Sequence, residues 1–141
     1  MIKKEDIVGA WDLISFELST ADNDITYPLG ISAKGSLYYL PSGQVSVHIM
    51  DPNRLEYVSP EQFKEGKLKY ADLGYLAYSG HYHLDPSQAL ITHSVDISVY
   101  PEWISTKQIR VIRLSGDLLS LSSPGTVGPD KVQFHLHWKR H

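Results

Sequence analysis

"AYSGHYHLDPSQALITHSVDIS", residues 77–98, reads as two strands folded about a turn. In the first arm, "AYSGHYHLD" (77–85), Tyr78, Gly80, Tyr82 and Leu84 share one face, while His81 and His83 share the other. In the second, "ALITHSVDIS" (89–98), Ile91, His93, Val95 and Ile97 alternate with Thr92, Ser94, Asp96 and Ser98. A period of two on both sides of "PSQ" (86–88) is the pattern of an antiparallel hairpin with one face turned to a core.

The same grammar runs outward in both directions. "GSLYYL" (35–40) and "QVSVHIM" (44–50) flank the proline–glycine turn "PSG", and "KQIRVIRLS" (107–115) and "LLSLSS" (118–123) flank "GD". "KVQFHLHWK" (131–139) places Val132, Phe134, Leu136 and Trp138 at period two. "AWDLISFELS" (10–19) supplies a first strand, with Ile14, Phe16 and Leu18 on one face and Trp11 and Leu13 on the other. One segment departs from the pattern. "SPEQFKEGKLKYADLGY" (59–75) opens with Ser59, Pro60 and Gln62, the N-cap, first-turn proline and capping-box partner of a short helical segment. Eight strands joined mostly by tight turns predict an all-β, up-and-down antiparallel barrel, with a two-sheet sandwich as the alternative. Eight is also the strand count at which a barrel interior can hold one small ligand.

Composition bounds the rest. A length of 141 residues makes 1–141 a single domain, and 42% hydrophobic with 21% charged residues sits near the globular average. A net charge of −3 argues against a nucleic-acid partner. The chain has no cysteine, which excludes disulfides and thiolate chemistry. The N-terminal "MIKKEDIVGAW" lacks the apolar stretch of a signal peptide, and no run approaches the ~18 apolar residues of a membrane helix. A cytoplasmic protein without a membrane partner is expected. Exposed tyrosines and strand edges leave room for a homodimer. Nine Tyr and three Trp against three Phe favour rings with a polar tip, which suit a pocket as well as half-exposed strands.

Several stretches resemble the small lipocalin-like proteins of bacteria and fungi. "VGAWDLISFE" is similar to that family's Gly-x-Trp opening; "YPLG" and "AKGSLYYLPSGQVSVHIMDPNR" follow it. "GYLAYSGHYHLD", "ITHSVDISVYPEWISTKQIRVIRL" and the closing "LHWKR" extend the likeness over residues 8–140. Tyr78, Ser79, Gly80, His93, Pro101, Trp103, Gln108, Arg110 and Arg54 match the pattern; His81 and His83 fall where it requires no histidine. The resemblance implies a closed lipocalin-like barrel with an internal cavity. Some relatives in this broad group are cofactor-free isomerases or cyclases of natural-product pathways.

Candidate site residues follow from which face each side chain takes. His81 and His83, roughly 6.5–7 Å apart on one strand face, could begin a metal site only with a further ligand. Alternation turns them outward, as it does His135 and His137, so no metal is expected. His93 shares an apolar face, where it is either a hydrogen-bonded core group or a cavity group that orients a ligand or moves a proton. Arg110 shares its face with Ile112 and Leu114; a buried guanidinium needs a carboxylate such as Asp96 or Glu17, or a ligand anion. Tyr39 and Tyr78 are the inward tyrosines, Trp103 in "YPEWIST" is a lid candidate, and Arg54 a rim candidate. Trp11 and Trp138 are assigned to closure of the core. A Ser79–His93 pair across the hairpin would be the only hydrolase arrangement on offer.

The expected function is binding of a small, largely hydrophobic molecule with a polar end, using Tyr39, Arg54, Tyr78, His93, Trp103 and Arg110. The rival is a cofactor-independent isomerase or cyclase, with His93 as acid/base and Arg110 stabilising an oxyanion. A solidly packed interaction domain is the third reading. None of the three calls for a cofactor.

Overall fold

The computed structural model describes residues 1–59, 61–62 and 73–141. Among them are nine strands: β1 (Gly9–Thr20), β2 (Ile25–Thr26), β3 (Lys34–Tyr39), β4 (Gln44–Met50), β5 (Tyr75–Asp85), β6 (Leu90–Ser98), β7 (Lys107–Ser115), β8 (Leu118–Val127) and β9 (Asp130–Arg140). Eight of them close into an antiparallel barrel in the order β1, β3, β4, β5, β6, β7, β8, β9, with β9 returning to β1. The two-residue β2 stays outside that ring and pairs only with the end of β1. Closure removes the unpaired edges that an open sheet of this length would expose.

The turns hold because their residues suit them. Gly43 and Gly116 take φ of +97° and +60° in the β3–β4 and β7–β8 connections, a region costly for side chains with a Cβ. In the β5–β6 turn the Asp85 carboxylate accepts from the backbone N–H groups of Ser87 and Gln88 at 3.1 and 3.3 Å, an Asx turn. The helical segment expected after residue 58 begins as its capping box requires. Gln62 N–H donates to Ser59 Oγ at 3.2 Å, and Gln62 Oε1 accepts from Ser59 N–H at 3.1 Å. Pro60 and the remainder of that expectation, residues 63–72, lie outside the described residues.

Two bulges correct the strict alternation read from the sequence. In β1 the register shifts between Leu13 and Ser15, so Ile14 has no partner on β9 and is exposed. The extra residue brings Phe16 to the same interior as Trp11 and Leu13, rather than to the opposite face. In β6, Val95 pairs with Gly80 and Ile97 with Ser79, which leaves Asp96 unpaired. Ile97 is thereby turned outward, 69% exposed, away from the face of His93. Also absent from the sequence reading is a one-turn helix, α1 (Lys4–Ile7), whose Ile7 is fully buried. Arg140 holds it, donating from Nη2 to Asp6 O at 2.6 Å and from Nη1 to Val8 O at 3.3 Å, while its guanidinium lies 4.2 Å from the Trp11 ring centre.

The core is concentrated at this end, where Ile7, Trp11, Leu37, Ile91, Ile112 and Leu119 are buried to within 1%. The barrel is solid there and hollow towards the other end.

Candidate functional site

The hollow is a cavity of ≈ 490 Å³, within the usual range for a small-molecule site. Phe16, Leu29, Val47, Leu121, Phe134 and Leu136 form its apolar walls. Tyr78, His93 and Trp138, all buried, stand at its deep end, and Tyr100, Glu102 and Trp103 at the exposed mouth. Most of these residues arrive by alternation along β1 and β4–β9, and Gly125 makes room for one of them. A Cβ there would sit 2.3 Å from the Phe134 ring.

His93 is 1% exposed and has both ring nitrogens engaged. Nε2 lies 2.8 Å from the Tyr39 hydroxyl and Nδ1 2.6 Å from the Tyr78 hydroxyl. Burial, aided by the positive charge of Arg110, pushes its pKa from the usual 6.5 down to about 3. The imidazole is therefore neutral, with one nitrogen donating and the other accepting. Burial raises the Tyr78 hydroxyl to about 12 despite the opposing pull of Arg110, and raises that of Tyr39 as well. All three groups keep their neutral forms near pH 7. A neutral imidazole held at two points fixes the tyrosines in place; with this pKa it is a poor proton donor or base at neutral pH.

Arg110 enters the same space from β7. Its Nη2 donates to Gln108 Oε1 at 3.3 Å and its Nη1 to Ile109 O at 3.1 Å. The carboxylates proposed for it are engaged elsewhere, Asp96 with His81 at 2.9 Å and Glu17 with His137 at 3.3 Å. Gln108 in turn donates to Thr106 Oγ1 at 2.9 Å, and that hydroxyl to Trp103 O at 2.6 Å. The chain of bonds ties the guanidinium to the turn Pro101–Trp103. Trp103 packs edge-on against Tyr100 at 4.9 Å and Tyr78 at 5.9 Å between ring centres. An aromatic path thus runs from the mouth to His93.

The structure gathers Tyr78, His93, Trp103 and Arg110 on the cavity wall. Tyr39 stands behind His93 and does not line the cavity, because the imidazole lies between them. Arg54 is not among the described residues that line the cavity: its guanidinium sits 5.0 Å from the Tyr75 ring centre, on a short turn held to Asp51 by the Arg54 N–H at 3.2 Å. Ser79 takes the outer face beside Ser46 and forms no pair with His93. His81 and His83 are exposed on the barrel exterior. His135 also points outward, bonding Ser19 and Ser122 at 3.2 and 3.1 Å. Trp138, assigned to the core alone, is also on the cavity wall. Leu29 and Gln108 were not singled out as site residues. The Gln108 signal was its match to the family pattern, whereas a loop residue such as Leu29 carries no periodicity to betray it.

The 4'-hydroxy-3'-methoxypropiophenone carrier protein ppsC of Aspergillus oryzae (strain ATCC 42149 / RIB 40) is 32% identical over 107 residues, covering 68% of this chain and 96% of that protein. No solved structure matches the chain. The model of the lipocalin-like domain matches residues 8–141, a span holding every strand of the barrel and every residue of the cavity. The chain belongs to the lipocalin-like domain family.

Proposed function

We propose that this barrel carries a small, largely apolar molecule with a polar end, held in the cavity without chemical change. The observation behind it is the ≈ 490 Å³ hollow with apolar walls and a polar deep end. In this reading Tyr78 and Arg110 meet the polar end and Trp103 covers the mouth. The relative's name points the same way, since a methoxylated hydroxypropiophenone is an aromatic ring with polar substituents and a ketone. The isomerase or cyclase reading needs His93 as an acid/base, and a neutral imidazole with both nitrogens engaged favours the carrier.

Two of the three tryptophans, Trp103 and Trp138, line the cavity and report on its occupancy. Titration with a panel of aryl ketones and fatty acids is expected to change their fluorescence saturably, at one ligand per chain. Chromatography and fragmentation mass spectrometry of the recovered ligand are expected to return the same compound, since an isomerisation would leave the mass alone unchanged. A panel that gives no saturable response defeats the proposal, and a turned-over ligand replaces carriage by catalysis.

A further inference from the structure

The Tyr39–His93–Tyr78 chain admits two arrangements of its protons. A neutral imidazole donates from one nitrogen and accepts at the other, so one tyrosine gives a proton to the ring and the other receives one from it. The receiving tyrosine keeps its own O–H, which then needs an acceptor elsewhere. Tyr39 is fully buried, and among the described residues His93 Nε2 is the one partner of its hydroxyl. Were Tyr39 the receiver, its O–H would be orphaned inside the protein, the costlier outcome for a buried donor. Tyr78 is the member that lines the cavity, where a surplus O–H has somewhere to go. The satisfied arrangement is therefore Tyr39 O–H to Nε2 and Nδ1–H to the Tyr78 oxygen.

We propose that the deep end of the cavity selects a hydrogen-bond acceptor, a ketone, aldehyde or carboxylate oxygen, because the Tyr39–His93 relay leaves the Tyr78 hydroxyl proton free to donate into it. Two neighbours have the same polarity. Arg110 on the cavity wall offers only N–H groups. Trp138, on the same wall, carries the one buried side-chain polar atom without a protein partner among the described residues, its indole Nε1–H. Ser123 on the wall can act either way, and the acceptor-bearing Glu102 stands exposed at the mouth. His93 and Tyr39 act as positioning residues, setting which way the Tyr78 proton points while both ring nitrogens of His93 stay engaged with the tyrosines. This inference rests on the carrier reading and narrows it to one class of polar end.

The first test is made on the free wild-type protein. Nitrogen-15 spectra of the His93 ring are expected to show Nδ1 protonated and Nε2 bare; the reverse tautomer overturns the inference. The second titrates propiophenone, n-propylbenzene and benzylamine against wild type and Tyr78→Phe. The ketone is expected to lose about tenfold or more in affinity on substitution while the hydrocarbon stays within about threefold, and the donor-only amine to bind wild type more weakly than the ketone. Equal losses for ketone and hydrocarbon overturn the acceptor preference and leave the carrier reading standing. A wild type that binds none of the three overturns both. Should Tyr78→Phe fail to fold, the ring tautomer and the wild-type preference for ketone over amine decide the matter.

Discussion

At the scale of single residues, His93 couples the site to stability. Its pKa falls from the usual 6.5 in the unfolded chain to about 3 in the fold, so between those values the unfolded state binds a proton that the native state refuses. Stability is complete above pH 6.5 and is lost as the pH drops towards 3. Between pH 6.5 and 5 the cost is about 2 kcal/mol, at ~1.4 kcal/mol per unit. Urea denaturation at pH 7 and pH 5 should show wild type losing about that much more than His93→Gln, which keeps one donor and one acceptor but does not titrate. The other six histidines are common to both proteins, so they drop out of the difference. Identical losses would show that the ring is not buried neutral. That His93 sits on an apolar face was legible from its alternation with Ile91 and Val95. That two tyrosines 54 and 15 residues away clamp it was not, since strand pairing decides which side chains meet.

At the scale of elements, the bulge at Asp96 explains a residue that alternation leaves unexplained. Because β6 carries one extra residue there, its backbone closes on β5, and a Cβ on Gly80 would lie 1.8 Å from Ser94 O and 3.1 Å from Asp96 N. Backbone cannot swing aside as a side-chain tip can. Gly80→Ala is expected to cost about 3 kcal/mol or more, the upper end of overpacking penalties. Gly116→Ala is the control, with nothing within 4 Å of the new methyl and only a φ of +60° to oppose it, for about 1 kcal/mol. Chemical denaturation of both variants measures the gap, and Gly80→Ala proving the milder would remove the bulge from the account. Hairpin turns were readable from "PSG", "PSQ" and "GD" because turn chemistry is local. The bulges were not, since an inserted residue is invisible until the partner strand sets the register.

At the scale of the whole molecule, the barrel divides its interior between a solid end and a hollow one. A ligand at about a hundredfold above its dissociation constant should add ~2.7 kcal/mol to unfolding. For a domain of this size that raises the melting temperature by roughly 8 °C, at about 3 °C per kcal/mol. Leu136→Trp, placed on the cavity wall, is expected to obstruct part of the hollow and reduce this shift while leaving the ligand-free protein folded. A shift left undiminished by the substitution would locate the ligand elsewhere, for instance in the outer groove lined by Tyr38, Leu40 and Ile97.

Strand content, turn positions and the inward bias of His93, Arg110 and Tyr78 were legible in the sequence, because alternation and turn propensity act over a few residues; the choice of a closed ring over a two-sheet sandwich was not. The helix that closes the solid end, the outward turn of Ile97, the placement of Arg54 against Tyr75 and the bonding of both His93 nitrogens were decided by the closed barrel. Those outcomes depend on register and on which strands become neighbours, and both are fixed only when β9 meets β1 and every side chain must share one interior.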